Sequence, residues 1–346
     1  MKKLKEFLYS TRLKTPIITK YLSKYNSIAE DIMSLVNYYI LRRPGRMDTD
    51  IINLNIVSST TCNARCNFCA YKYLKDDKKI MPFSIFKKAV DEAKRMKIRN
   101  IGLTPTVGEV LLDGEFFEKV KYLEEKGIES SLFTNAILLS FNDNINKLID
   151  SNIKNIYFDL GDIIPIYSSR IFGISEKMAT NQIIGILDFL NKLDKKNIIK
   201  NITLEFRPMR PMGNILEDMK NTKFWELYKK GTFRISFLEN YDNWGGQIKK
   251  KDLLGIQDLK IPSKIKIYPC KSLQSLYIMP DGDIRVCGCR IINTFKDELV
   301  IGNIKTDSLI NIKESNNWKK IISKFKNGSL PKVCKECSFY RPFIQK

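Results

Sequence analysis

Between residues 51 and 240 the apolar positions alternate between two periods. Runs rich in branched and aromatic residues, IINLNIVSS (51–59), NIGLTP (100–105), ESSLFTN (129–135), KNIYFDLG (154–161), ITLEFRP (202–208) and TFRISFLE (232–239), read as strands. Helical repeats separate them. In PFSIFKKAVDEAKRM (82–96) Phe86, Ala89, Val90, Ala93 and Met96 share one face, and DGEFFEKVKYLEEKG (113–127) stops at Gly127. Residues 175–193 and 214–229 are also expected to be helical. Six strand-then-helix units predict an α/β protein whose parallel sheet curls into a partial (β/α)6 TIM-type barrel. Chemistry in such barrels sits on the loops after the strands' C-terminal ends.

The flanks have a different texture. The first 46 residues carry ten Lys or Arg against three Asp or Glu and look helical. Ser27-Ile-Ala-Glu30 has capping-box spacing, followed by Ile28, Ile32, Val36, Tyr39 and Ile40 as an apolar stripe. The stripe is expected to pack on the main domain, with membrane-surface or partner docking as the other reading. RRPGR (42–46) ends the pattern. After residue 240, SLQSLYIMPDGDIRVCGC predicts a hairpin closed by a tight primed turn at Asp281-Gly282. A short strand LVIGNI (299–304), a helix near 314–327 and a cysteine-bearing tail follow. The expected organisation is a basic helical extension over 1–50, the barrel over 51–240, and a small α+β module over 241–346.

Composition narrows the chemistry. The chain has 346 residues, 43% hydrophobic and 28% charged, with no apolar stretch near 18 residues and no signal-peptide pattern, so a cytoplasmic location is expected. Its formal net charge is +21, spread along the chain rather than in blocks. Such a charge suits an acidic partner, an anionic substrate or a membrane surface, or simply reflects lysine-rich composition. No element interleaves basic and aromatic residues as a nucleic-acid-binding surface would, so nucleic acid is not expected as a partner. The chain contains no histidine. That excludes serine-type triads, His-based general bases and His–metal sites, and leaves metal chemistry to Cys, Asp and Glu.

The eight cysteines fall into two groups, Cys62, Cys66 and Cys69, then Cys270, Cys287, Cys289, Cys334 and Cys337. The first three lie in SSTTCNARCNFCAY, directly after the first strand. A loop of three thiolates with no fourth Cys or His nearby departs from the paired knuckles of zinc sites. It suits a cubane iron–sulfur cluster with one iron left open, to which a small molecule can bind. The spacing, with Phe68 ahead of the last cysteine, resembles the radical S-adenosylmethionine (SAM) superfamily over about residues 51–240. The resemblance implies that the open iron holds the methionine end of SAM, and that reductive cleavage yields a 5′-deoxyadenosyl radical that takes hydrogen from substrate. It places Phe68 beside adenine. The family's Gly-Gly-Glu corresponds to Val107-Gly108-Glu109, with Val replacing the first Gly, and the ending of the third strand to Thr134-Asn135, with Ala136 in place of Gly. Asp159 and Gly161 lie where ribose contacts occur. Glu205 and Arg207 end the fifth strand, where Arg207 can pair with the SAM carboxylate; for Asp159, Glu205 and Arg207 a structural salt bridge is an equal alternative.

The later group resembles the C-terminal auxiliary-cluster module called SPASM, or its shorter twitch form. The shorter form implies one further [4Fe–4S] cluster on Cys270, Cys287, Cys334 and Cys337, although a zinc site of four thiolates also suits these spacings. Cys289 is left over, as an unused thiol, an alternative ligand or a hydrogen-atom donor in an epimerisation. ENYDNWGGQ (239–247) offers Tyr241, Asp242 and Trp244 either to a substrate or as a plain linker. The resemblance implies a radical SAM oxidoreductase acting on a carbohydrate or other small polar substrate, the auxiliary cluster accepting an electron. A peptide maturase or epimerase is the alternative. An acidic flavodoxin or ferredoxin is the expected reductant.

Overall fold

The computed structural model describes residues 27–45, 51, 53–74, 78–104, 106–288 and 297–344. Six parallel strands follow in chain order: β1 (Asn53–Ile56), β2 (Asn100–Leu103), β3 (Glu129–Thr134), β4 (Asn155–Leu160), β5 (Asn201–Phe206) and β6 (Arg234–Phe237). Their period-2 pattern sorts side chains to two faces. Leu132, Ile156, Phe158, Ile202, Leu204 and Phe206 are fully buried and join Phe86, Val90, Phe189 and Leu190 of the covering helices in one core. Each such side chain contributes about 1.5–3 kcal/mol by leaving water. The alternate set, Phe133, Tyr157, Asp159, Thr203 and Glu205, is half-buried on the other face. Register sets Phe133 beside Tyr157 with rings stacked 4.6 Å apart, and Asp159 beside Glu205.

The sheet stays open, and it is longer than six strands. After a two-stranded ribbon of β7 (Asn240–Tyr241) and β8 (Asp258–Leu259), strand β9 (Ser275–Ile278) pairs parallel with β1. Strands β10 (Asp283–Val286) and β11 (Val300–Asn303) then add antiparallel, giving nine strands in the order β11-β10-β9-β1-β2-β3-β4-β5-β6. The predicted late hairpin thus exists as the continuation of the barrel sheet past β1. Its turn is not the primed type. Met279-Pro280-Asp281-Gly282 closes with Gly282 N–H donating to Met279 O at 2.9 Å, and Gly282 has φ +93° whereas Asp281 is not left-handed. Pro280 fixes φ near −65°, which selects a type I turn followed by a left-handed glycine.

Two helical expectations also change. The stretch 214–229 is two helices, Met212–Met219 and Lys223–Lys230, because Thr222 sits extended between them. At the N-terminal flank, residues 27–35 are helical and Val36–Ile40 form a π turn. The apolar stripe does not face the protein: Ile28, Ile32, Tyr39 and Ile40 are exposed, while Ser34 and Asn37 are buried. The capping box is absent as well, since the Ser27 hydroxyl finds no partner among the described residues. Residues 1–26 lie outside the described residues. No described helix is long and apolar enough to cross a membrane.

Candidate active site

The first cysteine loop leaves β1 at its C-terminal end and is fastened on several sides. Arg65 N–H and Asn67 N–H donate to Phe172 O and Ile171 O at 2.8 and 3.0 Å. The Tyr71 hydroxyl accepts from Cys62 N–H at 3.1 Å. Gly108, φ +126°, lies so close that a Cβ there would overlap the Ser59 carbonyl oxygen, and the next N–H, of Glu109, donates to Thr61 O at 2.7 Å. Only glycine combines that φ with that approach. Val107, which replaces the family's first glycine, is buried without disturbing this contact.

Cys62, Cys66 and Cys69 pack against a small apolar cluster that includes Phe68 and Tyr241. Burial pushes the thiols upward, Cys62 to about 12 and Cys69 to about 11, and Cys66 rises for the same reason. Such thiols stay protonated unless a bound cation compensates the thiolates. Asn135 Nδ2 reaches Cys62 Sγ at 3.8 Å and Asn63 Oδ1 at 2.9 Å.

The structure brings the remaining expected residues together in unexpected roles. The Glu109 carboxylate is 1% exposed and already accepts from Thr134 Oγ1 (2.6 Å), Asn135 N–H (2.8 Å) and Leu111 N–H (3.0 Å). It ties the ends of β2 and β3 together. Ala136 has φ +56°, the conformation a glycine adopts without strain. Arg207 donates to Asp159 Oδ1 at 3.0 Å and to Glu205 Oε1 at 2.6 Å, forming the salt-bridged arrangement. Its guanidinium also lies 4.7 Å from the Phe68 ring centroid, a cation–π contact. Burial pushes the Asp159 and Glu205 carboxyls upward even beside Arg207.

ENYDNWGGQ is an integral strap rather than a loose linker. Tyr241 stacks on Phe68 at 5.0 Å and is 2% exposed. Trp244 Nε1 donates to Phe68 O at 3.1 Å. Asn243 exchanges hydrogen bonds with Ser338, and its Nδ2 donates to Glu336 O at 2.7 Å. Just beyond, fully buried Gln257 accepts from Asn67 Nδ2 at 2.6 Å and donates to Arg207 O at 3.1 Å. The strap therefore touches both cysteine regions. Gln257 and Asn67 carried no sequence signal, being single amides whose partners lie some 190 residues away.

Cys270, Cys287, Cys334 and Cys337 line one cavity with Leu273, Val286, Leu299 and Phe325. Cys289 lies outside the described residues. The Cys334–Cys337 turn repeats the Cys66–Cys69 turn: the second cysteine's N–H donates to the first's carbonyl (3.3 and 3.2 Å), and the N–H two residues on donates to its sulfur (Phe339 at 3.2 Å, Tyr71 at 3.4 Å). Lys266 caps the later turn, its buried ammonium donating to the carbonyls of Cys334, Lys335 and Cys337 at 2.8, 2.7 and 3.1 Å. Nothing in KIPSKIKIYP (260–269) sets Lys266 apart from its neighbouring lysines. Four thiols around an apolar cavity, with N–H···S donors in place, fit a thiolate-held cluster.

The family model described as the radical SAM superfamily matches residues 56–178, and that of the SPASM iron–sulfur cluster-binding domain matches residues 270–338. The chain is a radical SAM enzyme with a C-terminal SPASM domain. Such an enzyme works with a [4Fe–4S] cluster and SAM, and its SPASM domain implies further iron–sulfur clustering. Two solved structures share the fold of this radical SAM enzyme. BtrN in complex with AdoMet and 2-DOIA has a TM-score of 0.53 and 14% identity, covering 83% of this chain and 92% of that one. Streptococcus suis SuiB bound to precursor peptide SuiA has a TM-score of 0.56 and 13% identity, covering 97% and 84%. The tungsten-containing aldehyde ferredoxin oxidoreductase cofactor-modifying protein of Pyrococcus furiosus is 23% identical over 107 residues, 31% of this chain. The chain spans 30% of that relative's length.

Proposed function

We propose that this radical SAM enzyme oxidises a carbohydrate or similar small polar substrate at a carbinol carbon. The observation that carries this reading is the cavity lined by Cys270, Cys287, Cys334 and Cys337. Four thiolates complete the coordination of one cubane cluster, leaving no open iron for substrate and suiting it to electron acceptance. Cys62, Cys66 and Cys69 would hold the other cluster, at which SAM would bind. With those groups in place the first site would supply carbon-centred radical chemistry for removing one hydrogen atom, and the four later cysteines would hold a cluster able to accept one electron.

The chain's own residues supply the rest. Phe68 is held in place by Tyr241, Arg207 and Trp244 and would lie beside the adenine of bound SAM. Gly108 positions the Glu109 backbone at the cysteine loop, and Asn135 braces Cys62. Asp159 and Glu205 together carry two carboxylates against one Arg207. Since the chain has no histidine, Glu205 accepts the hydroxyl proton: paired with Arg207 it starts as the carboxylate, and burial raises its affinity for the proton. Hydrogen atom, proton and electron together make a two-electron oxidation.

Anaerobic reconstitution tests the cluster assignment. About eight irons per chain, falling to about four in the triple Cys62→Ala, Cys66→Ala, Cys69→Ala variant, is expected for two [4Fe–4S] clusters; zinc in place of half the iron would refute it. Glu205→Gln is expected to keep SAM cleavage but lose formation of a product two mass units lighter. A peptide substrate is the competing reading, and a short precursor-peptide gene beside this one, instead of glycosyltransferase genes, would favour it. The reductant is an acidic flavodoxin or ferredoxin steered by the +21 charge, so reduction should slow steeply as ionic strength rises.

A further inference from the structure

The helical segment 27–41 is turned inside out. Its polar side chains face the protein: Asp31 accepts from Ser263 Oγ, from Lys264 N–H at 2.9 Å and from Ile265 N–H at 3.2 Å, and Glu30 pairs with Arg341 at 3.5 Å. Ser34 and Asn37 are buried and donate to carbonyls of their own helix, Glu30 O and Met33 O, at 2.7 Å each. The apolar side chains face outward. Of sixteen exposed large apolar side chains among the described residues, eight fall between Ile28 and Leu41, with Ile32 56%, Tyr39 58% and Ile40 72% exposed. Scattered exposed apolar residues are ordinary; half of them on one short helix are not.

Charge identifies what suits that face. Both acids of the segment are spent on inward contacts, whereas Arg42 and Arg43 stay exposed directly after the apolar run, Arg43 also donating to Asn37 Oδ1 at 3.3 Å. Residues 1–26 of the sequence add seven Lys or Arg against one Glu. A second copy of this chain would bring the same positive charge to the same face and be repelled. We propose that segment 27–43 docks the enzyme on an anionic lipid surface, with Ile28, Ile32, Tyr39 and Ile40 entering the interface and Arg42 and Arg43 meeting lipid phosphates. The geometry is that of an interfacial amphipathic helix, which lies on a membrane without spanning it. The docking is independent of which substrate the enzyme oxidises.

The test is flotation of the reconstituted full-length enzyme with phosphatidylglycerol–phosphatidylcholine vesicles and with pure phosphatidylcholine vesicles. Binding to the anionic vesicles is expected, at least tenfold weaker to neutral ones and weakened similarly by raised salt. An Ile32→Glu, Ile40→Glu variant should lose binding at least tenfold while keeping iron content and SAM cleavage; Arg42→Gln, Arg43→Gln should lose part of it. Three results would overturn the proposal. One is no binding to anionic vesicles, or equal binding by the Ile32→Glu, Ile40→Glu variant. Another is a lipid-free dimer that this variant dissociates, assigning the face to a second copy. The third is binding that emerges only when residues 1–26 are deleted, assigning the face to that segment.

Discussion

Replacing Glu109 by Gln separates two roles that the family motif confounds, cofactor contact and scaffold. In the structure one carboxylate oxygen accepts from Thr134 Oγ1 and Leu111 N–H, and the other accepts from Asn135 N–H. Glutamine can keep the first pair with its carbonyl, but its NH2 then meets the Asn135 N–H, donor against donor. Losing one charge-assisted bond and orphaning a buried N–H costs about 1.5–3 kcal/mol, and weakening the two surviving bonds to neutral ones adds about 1 kcal/mol. Relief of a buried charge offsets part of this, since burial already pushes the Glu109 carboxyl upward. The expected net loss is about 2–4 kcal/mol. Urea unfolding of the cluster-free protein reads it as a lower midpoint at unchanged slope. If the midpoint stays put while the reconstituted variant loses SAM affinity more than tenfold, the carboxylate contacts SAM directly and the scaffold reasoning is wrong.

Gly108→Ala must both strain a left-handed φ and displace the Ser59 carbonyl, so the variant should retain the auxiliary iron but fail to load the first cluster; full iron loading would contradict the close approach. Arg207→Met leaves Asp159 and Glu205 buried beside one another without their cation, with an expected loss of about 3–5 kcal/mol in unfolding experiments. A loss under 1 kcal/mol would show that the pair is protonated or solvated. Lys266→Met removes a cation bonded to three carbonyls of the Cys334–Cys337 turn and should lower the midpoint potential of the auxiliary cluster in an EPR-monitored titration. An unmoved potential at full iron content would mean that Lys266 serves the turn's shape alone.

The strands, their order and the cysteine loop were legible because each rests on a local signal: period-2 runs for β1 to β6, and cysteine spacing for the two clusters of thiols. The grouping of Cys270, Cys287, Cys334 and Cys337 was implied by the resemblance to the SPASM module, and one cavity joins them although Cys270 and Cys337 are far apart in sequence. What stayed hidden depends on which surface a pattern meets. Periodicity finds the stripe Ile28, Ile32, Tyr39 and Ile40 but says nothing of which face docks, and here polar bonds from Asp31 to residues 263–265 decide it. The pairing of β9 with β1 is likewise invisible, since a strand following a domain-like texture change gives no hint of its neighbour. Gln257, Asn243 and Lys266 act through long-range hydrogen bonds that leave no periodic trace.

The pairing of β9 with β1 governs how such an enzyme can be rebuilt. Asn53 to Ile56 lie in register with Ser275 to Ile278, and Cys287 N–H donates back to Ser275 O at 3.2 Å. The separation of the two cysteine sites is therefore gauged by a shared ladder, not by the length of chain between them. A one-residue slip of β9 would move its hairpin by about 3.3 Å and turn its side chains to the opposite face. An auxiliary module transplanted from another enzyme would have to arrive with a strand that matches β1, whatever the length of its tether. Swaps designed around the chain boundary would fail, and swaps designed around the register would carry the second cluster to its working distance.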